Sequence, residues 1–169
     1  MMKESSPQTP RERTATWSDP RRVADLARGR SGLDFLRGML AGEIPRPPVG
    51  EVLAYDLAEV EEGRAVFEIV PAEHHYNPIG SVHGGVIATV LDSAMGCAVH
   101  TLLPAGVGYT TTDLTTTFVR GVRSGLGTLR CVGEVMHVGG RTASARATLV
   151  GEDGTLYAHG SCNCLVLRP

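Results

Sequence analysis

Between Val86 and Leu102 apolar residues recur at Val86, Ile87, Val90, Leu91, Ala94, Met95, Ala98 and Val99. They cover nearly the whole circumference of a helix, so this pattern predicts a buried helix rather than a surface one. The helix should begin at His83–Gly84–Gly85, run about 19 residues, or ~28 Å at 1.5 Å per residue, and end before Pro104 and Gly106. Around it the periodicity is that of strands. GEVLAYDLAEVEEGRAVFEIVPAE reads as two strands about a turn at Glu61–Glu62–Gly63, with clean alternation at Ala65, Phe67 and Ile69. GYTTTDLTTTFVR is rich in Thr and aromatics, which favours extended chain. GTLRCVGEVMHVG pairs with RTASARATLV through Gly139–Gly140, and a turn at Glu152–Asp153–Gly154 leads into TLYAHGSCNCLVL, an antiparallel meander. HHYNPIGS is a loop. A shorter helix is expected in SGLDFLRGMLAG, with Ser31 as N-cap, Asp34 as its capping partner and Gly42 as its stop, followed by the Pro-rich connector IPRPPVG. No βαβ spacing repeats. One long apolar helix with about six strands predicts an α+β fold, a sheet curled around that helix.

Composition narrows the class. At 169 residues and 42% hydrophobic content the chain can bury one core. Its net charge of -2 and pI near 6.3 argue against a dedicated nucleic-acid binder. Charge is uneven: residues 1–30 hold seven Lys/Arg against four Asp/Glu. The first eighteen residues are polar, with Pro7 and Pro10 and little to bury. Residues 1–30 are therefore expected to be a flexible extension, and residues 31–169 the folded domain. Four Cys with no secretory start make no disulfide framework. MMKESSPQTPRERT lacks the apolar region of a signal peptide, and no run approaches a membrane span, so a cytoplasmic setting is the default.

Asp92 is the sharpest anomaly. It is the sole charged residue between Gly84 and Val99, in the middle of the apolar helix. An unpaired carboxylate there is costly, and Asp is a poor mid-helix residue. An isolated mid-helix Asp is more often a gap where the side chain reaches water or an Arg; the His83–Gly84–Gly85 start of the same helix shifts that balance. A helix N-terminus presents free N–H groups and positive dipole, and glycine lets a ligand come close to the backbone. The Gly84 amide can then polarise a carbonyl as an oxyanion hole does. Eight residues of helix separate the two groups by ~12 Å, too far for one ligand within one chain, and a two-fold dimer would bring them together. Cys162–Asn163–Cys164 puts two thiols on one strand face but lacks the second pair that zinc needs. His74–His75 are expected to be solvated loop residues. No phosphate-binding glycine motif and no GxSxG elbow occurs, so no cofactor and no metal are expected.

HHYNPIGSVHGGVIATVLDSAMG followed by YTTTDLTTTFVRGV resembles the hotdog-fold acyl-CoA thioesterases, specifically their PaaI-like, phenylacetate-pathway group, over residues 33–167. The resemblance implies a curved sheet around the central helix, and dimers with sheets paired edge to edge, many pairing again into tetramers. It makes Asp92 the carboxylate that activates water or attacks as a nucleophile, and Gly84 the backbone donor to the thioester carbonyl. Asn77 becomes the loop residue that holds carbonyl or water, His83 a supporting residue, and Thr111 the hydroxyl that positions water. Gly85, Met95 and Arg120 are expected to touch substrate, Arg120 through the phosphates of coenzyme A. Two positions depart from the group. Gly96 stands where some aryl-CoA enzymes carry Thr or Ser, and Gly121 where Pro often follows the Arg. The expected activity is hydrolysis of an acyl-CoA to acid and CoA by a homo-oligomer, without nucleic acid or membrane. The alternative is a non-catalytic acyl-CoA-binding or regulatory module of the same fold. A hotdog dehydratase is disfavoured because it places its His and carboxylate differently. Residue sizes do not choose between aryl and aliphatic acyl groups.

Overall fold

The computed structural model describes residues 10–169. Three short helices precede the sheet: α1 (Pro20–Ala27), α2 (Gly32–Leu40) and α3 (Pro48–Leu53). The strands follow, with β1 at Tyr55–Glu61, β2 at Arg64–Ile69, β3 at Gly108–Phe118, β4 at Leu129–Val138, β5 at Thr142–Val150 and β6 at Leu156–Leu167. The long helix α4 (Gly84–His100) is inserted between β2 and β3. All strand pairs are antiparallel, in the order β1-β2-β4-β5-β6-β3.

The core lies between α4 and the concave face of the sheet. Val90, Leu91, Ala94, Met95, Ala98 and Val99 are fully buried, against Ala65, Leu129, Cys131 and Ala145. The helix packs tightly on the sheet at Gly133, where a Cβ would run into the Ala94 carbonyl. Gly63 closes the β1–β2 turn at φ +76°, and its N–H donates to Thr101 Oγ1 at 2.7 Å, tying the hairpin to the end of α4. On the convex face Glu59 is held by Arg64 and Arg130, and Glu134 by Arg146. Solvent screens such pairs, and each contributes roughly 1 kcal/mol or less.

The expected α+β architecture, one helix wrapped by six strands, is what the chain adopts. Ser31 caps α2 as expected, accepting from the Asp34 N–H at 3.2 Å while its hydroxyl donates to the Asp34 carboxylate at 2.7 Å. Two boundaries are corrected. Gly50–Leu53, read as the start of a strand, belongs to α3: Pro48 sits in its first turn, and Ala54 ends it in the left-handed region at φ 51°. The long helix stops at His100, shorter than expected, because Thr101 caps it while Leu102 and Leu103 close a turn on Val99 and His100.

The segment expected as an extension carries α1, capped by the Asp19 side chain on the Arg21 N–H. Before it Arg13 donates to the carbonyls of Val52 and Glu51 at 2.7 and 2.8 Å, and Arg11 pairs with Glu73. The part of that expectation falling on residues 1–9 lies outside the described residues. Among the described residues no helix is long and apolar enough to cross a membrane, and no cluster of three His, Cys, Asp or Glu side chains is placed to hold a metal.

Candidate functional site

The loop before α4 is built on itself. Asn77 Oδ1 accepts from the N–H groups of Ile79 (3.1 Å) and Ser81 (3.2 Å), and its Nδ2 donates to Ser81 Oγ at 3.0 Å. Asn77 is thus a loop-former first, with one amide hydrogen left for a ligand. His75 anchors the loop from beneath. It is 1% exposed, its Nδ1 accepts from the Ala72 N–H at 3.1 Å, and its Nε2 meets the Leu53 carbonyl at 2.8 Å. The expectation of a solvated His75 is overturned: its backbone partners are satisfied only inside the fold. Burial pushes its pKa down, the Leu53 carbonyl opposes that, and Arg13 adds to it.

The His75 carbonyl in turn accepts from the His83 N–H at 2.8 Å, setting the start of α4. His83 is the N-cap, its Nδ1 accepting from the Gly85 N–H at 2.8 Å. A neutral ring with Nδ1 accepting carries its proton on Nε2. The Gly85 amide is thereby taken. The Gly84 amide, the first of the helix, meets no acceptor among the described residues. A Cβ at Gly84 would lie 2.9 Å from the ring of Phe118, so a side chain there would displace that ring. Asn77, Gly84, Phe118 and Arg120 line one cavity of about 400 Å³.

Asp92 is half-buried, eight residues and ~12 Å of helix beyond Gly84. The Thr111 hydroxyl, from the edge strand β3, donates to its Oδ1 at 2.9 Å. Beside it runs a half-buried stripe of α4, Ser93, Cys97 and His100, facing α2. Ser93 Oγ and the Tyr55 hydroxyl bond each other at 2.9 Å. Burial and the Asp92 charge push the Cys97 thiol up to about 12. Burial pushes Tyr55 and Tyr109 up and His100 down. All four are neutral at pH 7. These side chains and Thr111 line a second cavity of about 460 Å³.

The structure therefore divides the expected residues. Asn77, Gly84 and Arg120 share one cavity, while Thr111 joins Asp92 beside the other. Met95 lines neither: it is fully buried in the core, so the expectation that it touches substrate is not met. Gly96 is glycine because a Cβ would stand 2.7 Å from the Tyr109 hydroxyl. Ser93, Cys97 and His100 were not singled out from the sequence; their spacing of four and three on α4 is the signal that marks them. Cys162 and Cys164 do share one strand face, buried with their sulfurs 3.9 Å apart.

Residues 79–158 match the family model of the Thioesterase superfamily. No curated protein sequence matches the chain. Among solved structures, a phenylacetic acid degradation-related protein of Ralstonia eutropha is 27% identical, with 77% of this chain and 98% of that one covered at a TM-score of 0.69. The PaaI protein of the E. coli phenylacetic acid degradation operon superimposes at a TM-score of 0.70, covering 81% and 95%, with 21% identity. AziG of S. sahachiroi gives 0.70 over 73% and 98% at 24%. The last two likenesses carry the fold alone. The fold is thus the hotdog fold, and the stretch that holds Gly84, Asp92 and Thr111 is similar to the thioesterase superfamily, as most of the chain is, at 27% identity, to the phenylacetic acid degradation-related protein.

Proposed function

We propose that the protein hydrolyses a thioester of coenzyme A to the free acid and CoA, working as a homodimer or a dimer of dimers. Each site takes Asn77 and Gly84 from one subunit and Asp92 with Thr111 from the other. The observation that carries this reading is Asp92 itself: a carboxylate on an otherwise apolar helix, with Oδ1 satisfied by Thr111 and Oδ2 without a donor among the described residues. An oxygen left with its lone pairs, beside a cavity that Ser93 and Thr111 line, is suited to take a proton from water or to attack a carbonyl.

In the water route, Asp92 removes a proton as the water oxygen bonds to the thioester carbon. The carbonyl oxygen gains negative charge and is stabilised by the Gly84 amide and the positive end of α4. The tetrahedral species then expels the CoA thiolate, which takes up a proton. In the nucleophile route Asp92 attacks the thioester carbon and the C–S bond breaks to release the CoA thiolate, which takes up a proton. Water then cleaves the resulting anhydride to the free acid and the Asp92 carboxylate. Thiolate is a good leaving group, so a single carboxylate and a polarised carbonyl suffice without a triad.

Two features support the shared site. About 12 Å of helix lies between Gly84 and Asp92. And β3 is an edge strand of 11 residues whose second edge is unpaired among the described residues. Leu114 and Phe118, in register with the buried Cys162 and Ala158, are 37% and 52% exposed. A long edge strand with exposed apolar side chains is normally covered, and a second copy would cover it.

The test is release of free thiol from a panel of acyl-CoAs. Turnover by the wild type and its loss in Asp92→Asn, by about 10²–10⁴-fold, are expected. Turnover unchanged in Asp92→Asn would end the assignment. Binding of acyl-CoA without turnover would leave the non-catalytic module instead.

A further inference from the structure

We infer that the acyl group of the substrate lies in the 460 Å³ chamber beneath α1 and α2, and that this helical roof decides which acyl groups are accepted. The inference rests on the thioesterase reading above and extends it to the substrate.

The chamber adjoins the reacting position. Thr111, which bonds Asp92 at 2.9 Å, is part of its wall, as is Ser93, the next residue along α4. A thioester whose carbonyl carbon sits at Asp92 would send its acyl chain into this space. The volume falls within the ~300–1,000 Å³ usual for small-molecule sites.

The lining states the chemistry of the occupant. It contains no Asp, Glu, Lys or Arg. Its titratable members are neutral: the Cys97 thiol is pushed up to about 12 and the His100 ring is pushed down by burial. The Tyr55 and Ser93 hydroxyls bond each other at 2.9 Å, which leaves one hydroxyl proton and no charge to offer a ligand. A second carboxylate on the acyl group would enter this space without a counter-charge, which is costly. Apolar contact is abundant. Phe35 stacks obliquely on His100 at 5.7 Å and His100 on Tyr109 at 5.5 Å, making one continuous ring wall. The occupant is an uncharged apolar acyl group, not the acyl half of a dicarboxylic acid.

The roof belongs to the N-terminal part of this chain. Val23 comes from α1, and Phe35, Leu36 and Met39 from α2. All four precede the stretch that matches the superfamily, residues 79–158. Gly32 seats α2 on the end of α4, its N–H donating to the Leu103 carbonyl at 3.0 Å. The roof is thereby fixed to the helix that carries Asp92. Val23 and Met39 are the residues placed to set the depth of the chamber.

The experiment compares kcat and KM for acetyl-, hexanoyl-, phenylacetyl- and succinyl-CoA in the wild type, Val23→Trp and Met39→Ala. Binding of hexyl-CoA, a thioether that cannot be hydrolysed, is measured by calorimetry alongside. Hexanoyl-CoA and phenylacetyl-CoA should be preferred to succinyl-CoA by about 100-fold or more in kcat/KM, the discrimination expected where a charged group meets an uncompensated apolar wall. Val23→Trp should lower the ratio of hexanoyl to acetyl turnover about 10-fold, a change of a few methylenes' worth of pocket. Met39→Ala should shift preference toward larger groups. Circular dichroism and thermal midpoints show whether each variant is folded, and Met39→Ala keeps the question open to an answer if Val23→Trp is not. Thioester turnover with succinyl-CoA preferred, or with profiles unmoved in both variants, overturns the chamber while the thioesterase reading stands. If no thioester is cleaved, that reading falls. Hexyl-CoA then decides the chamber by itself: binding weakened by Val23→Trp supports it, and unchanged or absent binding overturns it.

Discussion

The Thr111 hydroxyl donates to Asp92 Oδ1 at 2.9 Å, the one hydrogen bond joining the edge strand β3 to the carboxylate of the central helix. It forms where β3 is irregular: Thr111 faces Cys164 and Asp113 faces Asn163, so Thr112 is an extra residue. A bulge of this kind bends the strand and re-aims side chains. Thr111 and Tyr109 point inward toward α4, whereas Asp113 is turned outward, where it accepts from Asn163 Nδ2 at 3.0 and 3.1 Å.

That bond predicts a graded series at position 111. Thr111→Val keeps the shape and removes the donor, so kcat should fall about 10-fold, close to the ~1 kcal/mol of an ordinary hydrogen bond or somewhat more when its acceptor is charged. Thr111→Ser keeps the donor and should retain most of the activity. Steady-state kinetics separate the two, and a loss in Thr111→Ser with none in Thr111→Val would mean that the methyl group rather than the hydroxyl matters.

Gly96 and Tyr109 predict a coupled pair. A Cβ at Gly96 would lie 2.7 Å from the Tyr109 hydroxyl and 2.9 Å from its ring. Gly96→Ala should therefore destabilise by about 1–3 kcal/mol through overpacking. In the Tyr109→Leu background the same change should cost much less, since the ring is gone. Denaturant unfolding of the four proteins in a double-mutant cycle measures the difference. An identical cost in both backgrounds would show that the ring does not occupy that space.

The protein's stability should fall as pH is lowered from neutral, with His75 as a contributor. Burial first, and the Arg13 charge third, hold its pKa below 6.5, the Leu53 hydrogen bond opposing them. The unfolded chain takes up a proton near 6.5 while the folded chain does so only at lower pH. Between those values the unfolded state binds more protons, so stability is full above 6.5 and is lost as pH falls toward the folded pKa. The physical cause is visible in the bonding: Nδ1 accepts from the Ala72 N–H, and a proton there would oppose one donor to another. Urea midpoints between pH 5 and pH 8 should show the slope, and His75→Gln should flatten it. His100, also lowered by burial, accounts for part of what remains. A slope unaltered in His75→Gln would remove His75 from the account.

What could be read in advance follows from how far each signal extends along the chain. The run from Val86 to Leu102 repeats its apolar face often enough to declare a buried helix, and Asp92 stands out because nothing else there is charged. The meander was legible from Gly139–Gly140 and Gly154, the latter at φ +79°. Helix α3 was not: six residues, among them Val49, Val52 and Leu53, are too few to show a 3.6-residue period and look like strand. His75 was misjudged because its partners are the backbone groups of Leu53 and Ala72, which leave no trace in side-chain identity. Met95 and Cys97 are two residues apart on one helix, and periodicity alone says that they face different ways. It does not say which way holds the cavity. That depends on α2 seating itself over Cys97 and His100 and leaving Met95 to the sheet.

The proposed sharing of the site between subunits makes the most exacting prediction. Asp92→Asn disables one half, and Gly84→Val the other by blocking approach to the free amide. The valine Cβ would press on Phe118, at 2.9 Å, but that ring is 52% exposed and has room to swing aside. Each variant alone should be inactive. In a mixed dimer, the Gly84 of the Asp92→Asn subunit meets the Asp92 of the Gly84→Val subunit, and that site is intact. The other site carries both lesions. Two-fold symmetry thus requires one good site in two. Co-expression with different tags and purification through both should recover about half of wild-type activity. If Gly84 and Asp92 instead acted within one chain, across the ~12 Å between them, each site would hold one lesion. Activity would stay at background, and the shared site would have to be given up even if thioester hydrolysis by the wild type stands.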